Sequence, residues 1–83
     1  MGKYEKLKRR VLSNQVSANI AFDDICLLLK HFGFEERVRG SHHIFRKQGI
    51  DDKINLQRDD NNRAKIYQIR QVRAVIRKYN LED

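Results

Sequence analysis

Apolar positions recur along this chain with two different periods, and the switch between them marks out the elements. In KYEKLKRRVLS, Tyr4, Leu7 and Val11 fall at i, i+3 and i+7, which predicts a helix over residues 3–13. A better-marked helix follows, where Phe22, Ile25, Leu29 and Phe32 form an i, i+3, i+7, i+10 stripe with Leu28 alongside. Asp23 is its expected N-cap, Asp24 suits the positive end of the macrodipole, and Phe22 with Leu27 has the spacing of a hydrophobic staple. Gly33 stands where a left-handed residue would close the helix. Cys26, beside the stripe, reads as a small packing residue, and His31 as a last-turn histidine facing the negative helix end.

From Phe34 to Gln57 the period becomes two. FEERVR, SHHIFRK and DKINLQ read as three short strands, with turns at Gly40 and at Gly49-Ile50-Asp51-Asp52. Regular pleating sorts them into a core face of Phe34, Val38, Phe45, Ile54 and Leu56. The wet face holds Arg37, Arg39, His42, Arg46, Asn55 and Gln57. Ile44 breaks the pattern, an apolar residue on the wet face. RDDNNRAK (58–65) has the composition of an exposed loop. A last helix is expected from Tyr67 to Tyr79, with Ile69, Val72, Val75, Ile76 and Tyr79 apolar. Helical stripes packed on one face of a three-stranded antiparallel sheet define an α+β two-layer sandwich, preceded by an N-terminal helical extension.

Composition narrows what such a sandwich does. Its 83 residues make one domain with a thin core and no deep cavity. A net charge of +7 favours polyanionic partners, and 40% hydrophobic content calls for a folded core rather than a basic tail. With no spanning stretch and no signal-like opening, a cytoplasmic protein off the membrane is expected. One cysteine gives no internal disulfide and no zinc framework. Asp51-Asp52 and Asp59-Asp60 look like solvated turns, and His42 and His43 must point to opposite faces of a strand, so no metal or other cofactor is expected.

Two basic runs stay open at this level. Residues 3–13 could be a basic arm or a helix with a solvated face. Arg70, Arg73 and Arg77 lie within about 60° of one another on the last helix, a phosphate track or plain solubilising surface. Ser41 beside His42 lacks a sign of an orienting third group. What remains is an imidazole among cations. RNA carries its own nucleophile, the 2′-hydroxyl, so its cleavage needs little beyond proton transfer and charge stabilisation. His42 near Arg37, Arg39 and Arg46 meets that need in kind, with Asn55 and Gln57 able to hydrogen-bond base or ribose. A lone exposed histidine with no chemistry is the plain alternative.

The residues GSHHIF (40–45) resemble the G-S-H-x-x-F signature of the HicA toxins, the ribonuclease halves of HicBA toxin–antitoxin modules. AFDDICLLLKHFGFEERVRGSHHIFRK is similar to the family's first helix and two strands, KINLQ to a third strand and AKIYQIRQVRAVIRKY to its closing helix. This divides the chain into an extension over 1–19 and a HicA-like ribonuclease domain over 20–83. The resemblance implies an α-β-β-β-α fold like that of double-stranded-RNA-binding domains, and a metal-independent mRNA endoribonuclease that arrests translation. A HicB-like antitoxin would cover its active face. It assigns catalysis to His42 and motif support to Gly40, Ser41 and Phe45, and gives His43 no role. Arg37, Arg39, Arg46, Asn55, Gln57, Arg70, Arg73 and Arg77 are the candidate RNA contacts. Asn55-Leu56-Gln57 departs from the Pro-x-His run of many members, and Ile66 from a frequent proline. A non-catalytic RNA- or DNA-binding module is the rival reading, and a protein-interaction adaptor the third.

Overall fold

A computed structural model describes residues 3–13 and 20–81; within the expected N-terminal extension, residues 1–2 and 14–19 lie outside the described part. The elements run α1 (Lys3–Leu12), α2 (Phe22–His31), β1 (Glu35–Arg39), β2 (His42–Arg46), β3 (Ile54–Leu56) and α3 (Ile66–Lys78). The strands form an antiparallel meander in the order β1-β2-β3. This is the expected α+β sandwich, with α3 beginning one residue before Tyr67.

The core lies between the helices and one face of the sheet. Phe34, Phe45, Ile54 and Leu56 meet Phe22, Ile25, Leu28 and Leu29 of α2 and Ile69, Val72 and Ile76 of α3, all buried. Leu7 and Val11 of α1 join the same cluster, so this helix is core material rather than a free arm. Tyr4 of α1 also lays its ring on His31 of α2, with centroids 4.3 Å apart and planes 7° from parallel.

Val38 is a correction: it lies on the core face by parity yet is 54% exposed. β1 is an edge strand, and the helical layer does not reach the end of it that Val38 occupies, opposite His43. The start of α2 also differs from expectation. The N-cap is Ala21, without a side-chain cap, and Asp23 is in the first turn. The reason is tertiary: Phe22 is buried and its N–H donates to the Asn62 carbonyl at 3.0 Å, while Ala64 N–H donates to Ile20 at 2.9 Å. These bonds draw the helix start onto the 62–64 segment. Asp23 instead accepts from Arg58 at 3.3 Å, and the Arg58 guanidinium lies 4.8 Å over the Phe22 ring. With this cap, the staple positions belong to Ile20 and Ile25, both buried, and Leu27 is left 38% exposed.

Gly33 closes α2 as expected. At φ 96° it lets its own N–H reach Lys30 O (2.9 Å) and the Phe34 N–H reach Leu29 O (3.0 Å). That is the Schellman arrangement, and it turns the chain directly into β1. Asn80 (φ 57°) repeats it after α3, its own N–H donating to Arg77 O and the Leu81 N–H to Ile76 O. The 58–65 loop is exposed along most of its length but tied: the Asp59 carboxylate accepts from Asn61 and Arg63 N–H, each at 2.8 Å, and those bonds hold its pKa below the ordinary range.

Candidate functional site

The β1–β2 hairpin decides where His42 points. Its loop is two residues, Gly40-Ser41, closed by the pair Arg39↔His42. Gly40 has φ 58°, a conformation that L side chains resist, and glycine at the first loop position is what a type II′ turn requires. This loop fixes the register, and with period-2 alternation it fixes which side chains share a face. On the outer face Arg39 stands across from His42, Arg37 across from Ile44, and Glu35 across from Arg46; Asn55 of β3 flanks Ile44 from the other side.

His42 is exposed, and its Nδ1 lies 3.2 Å from Asn55 Oδ1. A carbonyl oxygen only accepts, so Nδ1 carries the hydrogen and Nε2 of the neutral ring keeps its lone pair. Asn55 therefore sets the tautomer that leaves a basic nitrogen available. Gln57, just past β3, donates from Nε2 to Ser41 Oγ at 3.1 Å and fastens the tip of the hairpin to the third strand. The outer face thus brings together His42, Arg37, Arg39, Arg46 and Asn55, with Gln57 and Ser41 at its rim. Gly40 shapes the turn, and Phe45 anchors the strand from the buried side.

The helix-borne arginines are placed elsewhere. α3 packs on the inner side of the sheet, away from His42. Arg73 donates to the Ser13 carbonyl and Arg77 to the Leu12 carbonyl, each at 2.6 Å. Both satisfy carbonyls at the C-terminal end of α1, which helical bonding leaves open. Arg70 is exposed on the same helix.

Sequence reasoning passed over a second cluster, on the inner side. His43 Nδ1 donates to Glu36 Oε2 at 2.6 Å, Lys30 Nζ to Glu36 Oε1 at 2.8 Å, and the His43 ring meets Phe22 edge-on at 4.9 Å. Burial pushes the Glu36 carboxyl up, but the hydrogen bonds from Lys30 and His43 outweigh it and hold the group below the usual range. The bond to Glu36 raises Lys30 correspondingly. Cys26 lies beside them with its thiol pushed up to about 12, chiefly by burial and then by the Glu36 and Asp23 charges. Cys26, Glu36 and His43 offer ligand atoms within 4.8 Å of one another, so they are the residues that could hold a metal among those described. Lys30 already supplies Glu36 with a cation. The signal was present in the parity of Glu36 and His43 and in the i, i+4 spacing of Cys26 and Lys30. It becomes legible only once the hairpin register is known.

An imidazole held on a cationic sheet face of a basic α+β domain is an arrangement that can receive a polyanion and can move a proton there. The family comparison agrees with this class: residues 22–80 match the HicA toxins of bacterial toxin–antitoxin modules, and the chain belongs to that family. The match runs from the first residue of α2 to Asn80, just past α3, and leaves α1 outside it. Neither the curated proteins nor the solved structures compared with the chain gave a match. Membership makes the chain the toxin side of such a module, of a family whose toxins are ribonucleases and whose partner is a HicB-type antitoxin. Among the described residues, no helix is long and apolar enough to cross a membrane.

Proposed function

We propose that this protein is a metal-independent endoribonuclease that cleaves mRNA and thereby arrests translation, with His42 moving the proton. The observation that carries the reading is the exposed His42 ring, held by Asn55 with Nε2 available and Arg39 directly across the strand pair. His42 Nε2 takes the proton of a ribose 2′-hydroxyl, and the 2′-oxygen attacks the adjacent phosphorus. The P–O5′ bond breaks and the 5′-oxygen takes a proton from water, leaving a 2′,3′-cyclic phosphate and a 5′-hydroxyl. The guanidinium of Arg39, across from His42, offsets the charge gathering on the phosphoryl oxygens, with Arg37 and Arg46 further along the same face to hold the adjoining RNA. Asn55 and Gln57 hold His42 and the hairpin tip in place and border the substrate. Arg70 offers a phosphate contact remote from the cut, whereas Arg73 and Arg77 already bond α1.

Purified protein is incubated with RNA in EDTA beside His42→Ala. Cleavage by the native chain alone, with cyclic-phosphate ends, is the expected result. Equal cleavage by both proteins removes His42 from the chemistry, and loss of cleavage in EDTA removes the metal-free mechanism. The HicB-type antitoxin, in this reading, lays carboxylates over the arginine-bordered face and keeps RNA from His42. The same cationic face also suits a non-catalytic RNA- or DNA-binding module, for which expression would not stop growth in a His42-dependent way.

A further inference from the structure

Ile44 has the wrong polarity for its position. It lies on the outer face, half-buried, with Arg37 and Asn55 directly across on either side and His42 and Arg46 two residues away along β2. It is the one apolar side chain lining a shallow concavity whose other walls are Arg37, Arg39, Arg46 and Lys53 with Glu35 and Glu36. Strand propensity accounts for a β-branched residue there but does not call for a wholly apolar one on a solvated face, and neighbouring phosphates gain nothing from it. An apolar floor ringed by cations suits a ligand that is flat and apolar on its face, polar at its edge and anionic on both sides. A nucleotide has that shape.

We infer that this concavity is a nucleobase subsite, holding the unpaired base of the nucleotide beside the cleaved phosphate; the inference rests on the ribonuclease reading of His42. The base lies face-down on Ile44 against the Arg37 guanidinium, while Arg39, Arg46 and Lys53 take the flanking phosphates. His42 and Ile44 are two residues apart on one strand, about 7 Å, the scale of a single nucleotide. Glu35, across from Arg46, disfavours a further phosphate at that wall and suits the amino edge of a base. In an RNA duplex, base faces are stacked and only their edges are open, so a paired base cannot reach this floor. The substrate is therefore unpaired at the cut.

The test compares kcat/KM for a short RNA, for the same RNA with an abasic ribose on one or the other side of the cut, and for the RNA annealed to its complement. An abasic ribose on one side should lower the native rate about tenfold, and pairing about 100-fold. Ile44→Ala should lose about tenfold on the intact RNA and lose little more on the abasic one. Ile44→Thr, which keeps the β-branched shape of a strand residue, should do the same in a chain that melts near the native temperature. Equal native rates on intact and both abasic RNAs, or on paired and unpaired RNA, overturn the subsite while leaving His42 catalysis standing. If the native protein cuts no RNA, the ribonuclease reading fails on its own. The subsite is then read from RNA binding to His42→Ala by fluorescence anisotropy, where weaker binding of the abasic RNA supports it and equal binding overturns it.

Discussion

His42 and His43 are adjacent in the chain and meet opposite surroundings, because a strand sends successive side chains to opposite faces. His42 stands in solvent, held by one amide, with a ring nitrogen left over. His43 is turned under the sheet, bonded to Glu36 and packed against Phe22. The outer face is kept sparse, with polar groups that have few protein partners and can therefore take a ligand. The inner face is saturated: among the described residues no buried side-chain nitrogen or oxygen lacks a partner. Residue type alone does not separate the exposed from the packed histidine in this protein. The group that Nδ1 meets, an amide oxygen for His42 and a carboxylate for His43, and the side of the sheet do.

The sharpest way to break that contrast is to remove each ring in turn. His42→Ala should lower RNA cleavage by about 10²–10⁴-fold, the usual scale for a lost general base, and leave the melting temperature nearly unchanged. His43→Ala should keep cleavage within a few-fold and lower the melting temperature, because it strips a charge-assisted bond from half-buried Glu36. The next pair of residues repeats the test on packing. Phe45→Ala opens a cavity at a fully buried site and should cost about 3–5 kcal/mol, most of what a domain this small has to lose. Arg46→Ala, one residue on, should stay within about 0.5 kcal/mol in a denaturant melt and act on RNA cleavage alone.

Much of this division was legible before any coordinates. Alternation placed His42, Arg37, Arg39, Arg46 and Asn55 on one face, and Gly40-Ser41 marked the turn that sets their register. Gly33 announced the helix end. The misses share a cause, which is that they depend on what lies beyond the element. Asp23 has good N-cap chemistry but loses the position to Ala21, since burial of Phe22 and its bond to Asn62 O set the helix start. Val38 has core parity but lies where no helix covers the edge strand. Arg73 and Arg77 read as a surface stripe, and only the docking of α1 shows that their donors meet helix-end carbonyls.

α1 extends the contrast to the far side of the molecule. It lies outside the family match yet contributes Leu7 and Val11 to the core. Leu7→Ala should cost about 2–4 kcal/mol, a fall of roughly 10 °C or more in a thermal melt of a domain this size. Cleavage by the protein that remains folded should be unaltered, because the described residues of α1 pack against α2 and α3, on the inner side of the sheet. A drop in specific activity at a temperature well below the melt would instead tie the extension to the RNA site.

The smallest effect concerns acid. Glu36 is ionised and bonded in the fold, and its carboxyl is held below the ordinary value of 4.5, with Lys30 and His43 outweighing the upward push of burial. A depressed carboxyl contributes stability that is fully present above the unfolded value and is lost as pH falls through the folded one. Native stability should therefore be flat from neutral pH down to about 5 and decline below 4.5. Glu36→Gln should give up about 1–2 kcal/mol at neutral pH and show a shallower acid decline, so the two curves converge at low pH in urea melts. Parallel curves would mean that Glu36 gains nothing from folding. The inner face would then owe its order to packing alone, and the saturated polar cluster beneath His43 would be incidental to holding β2 in register.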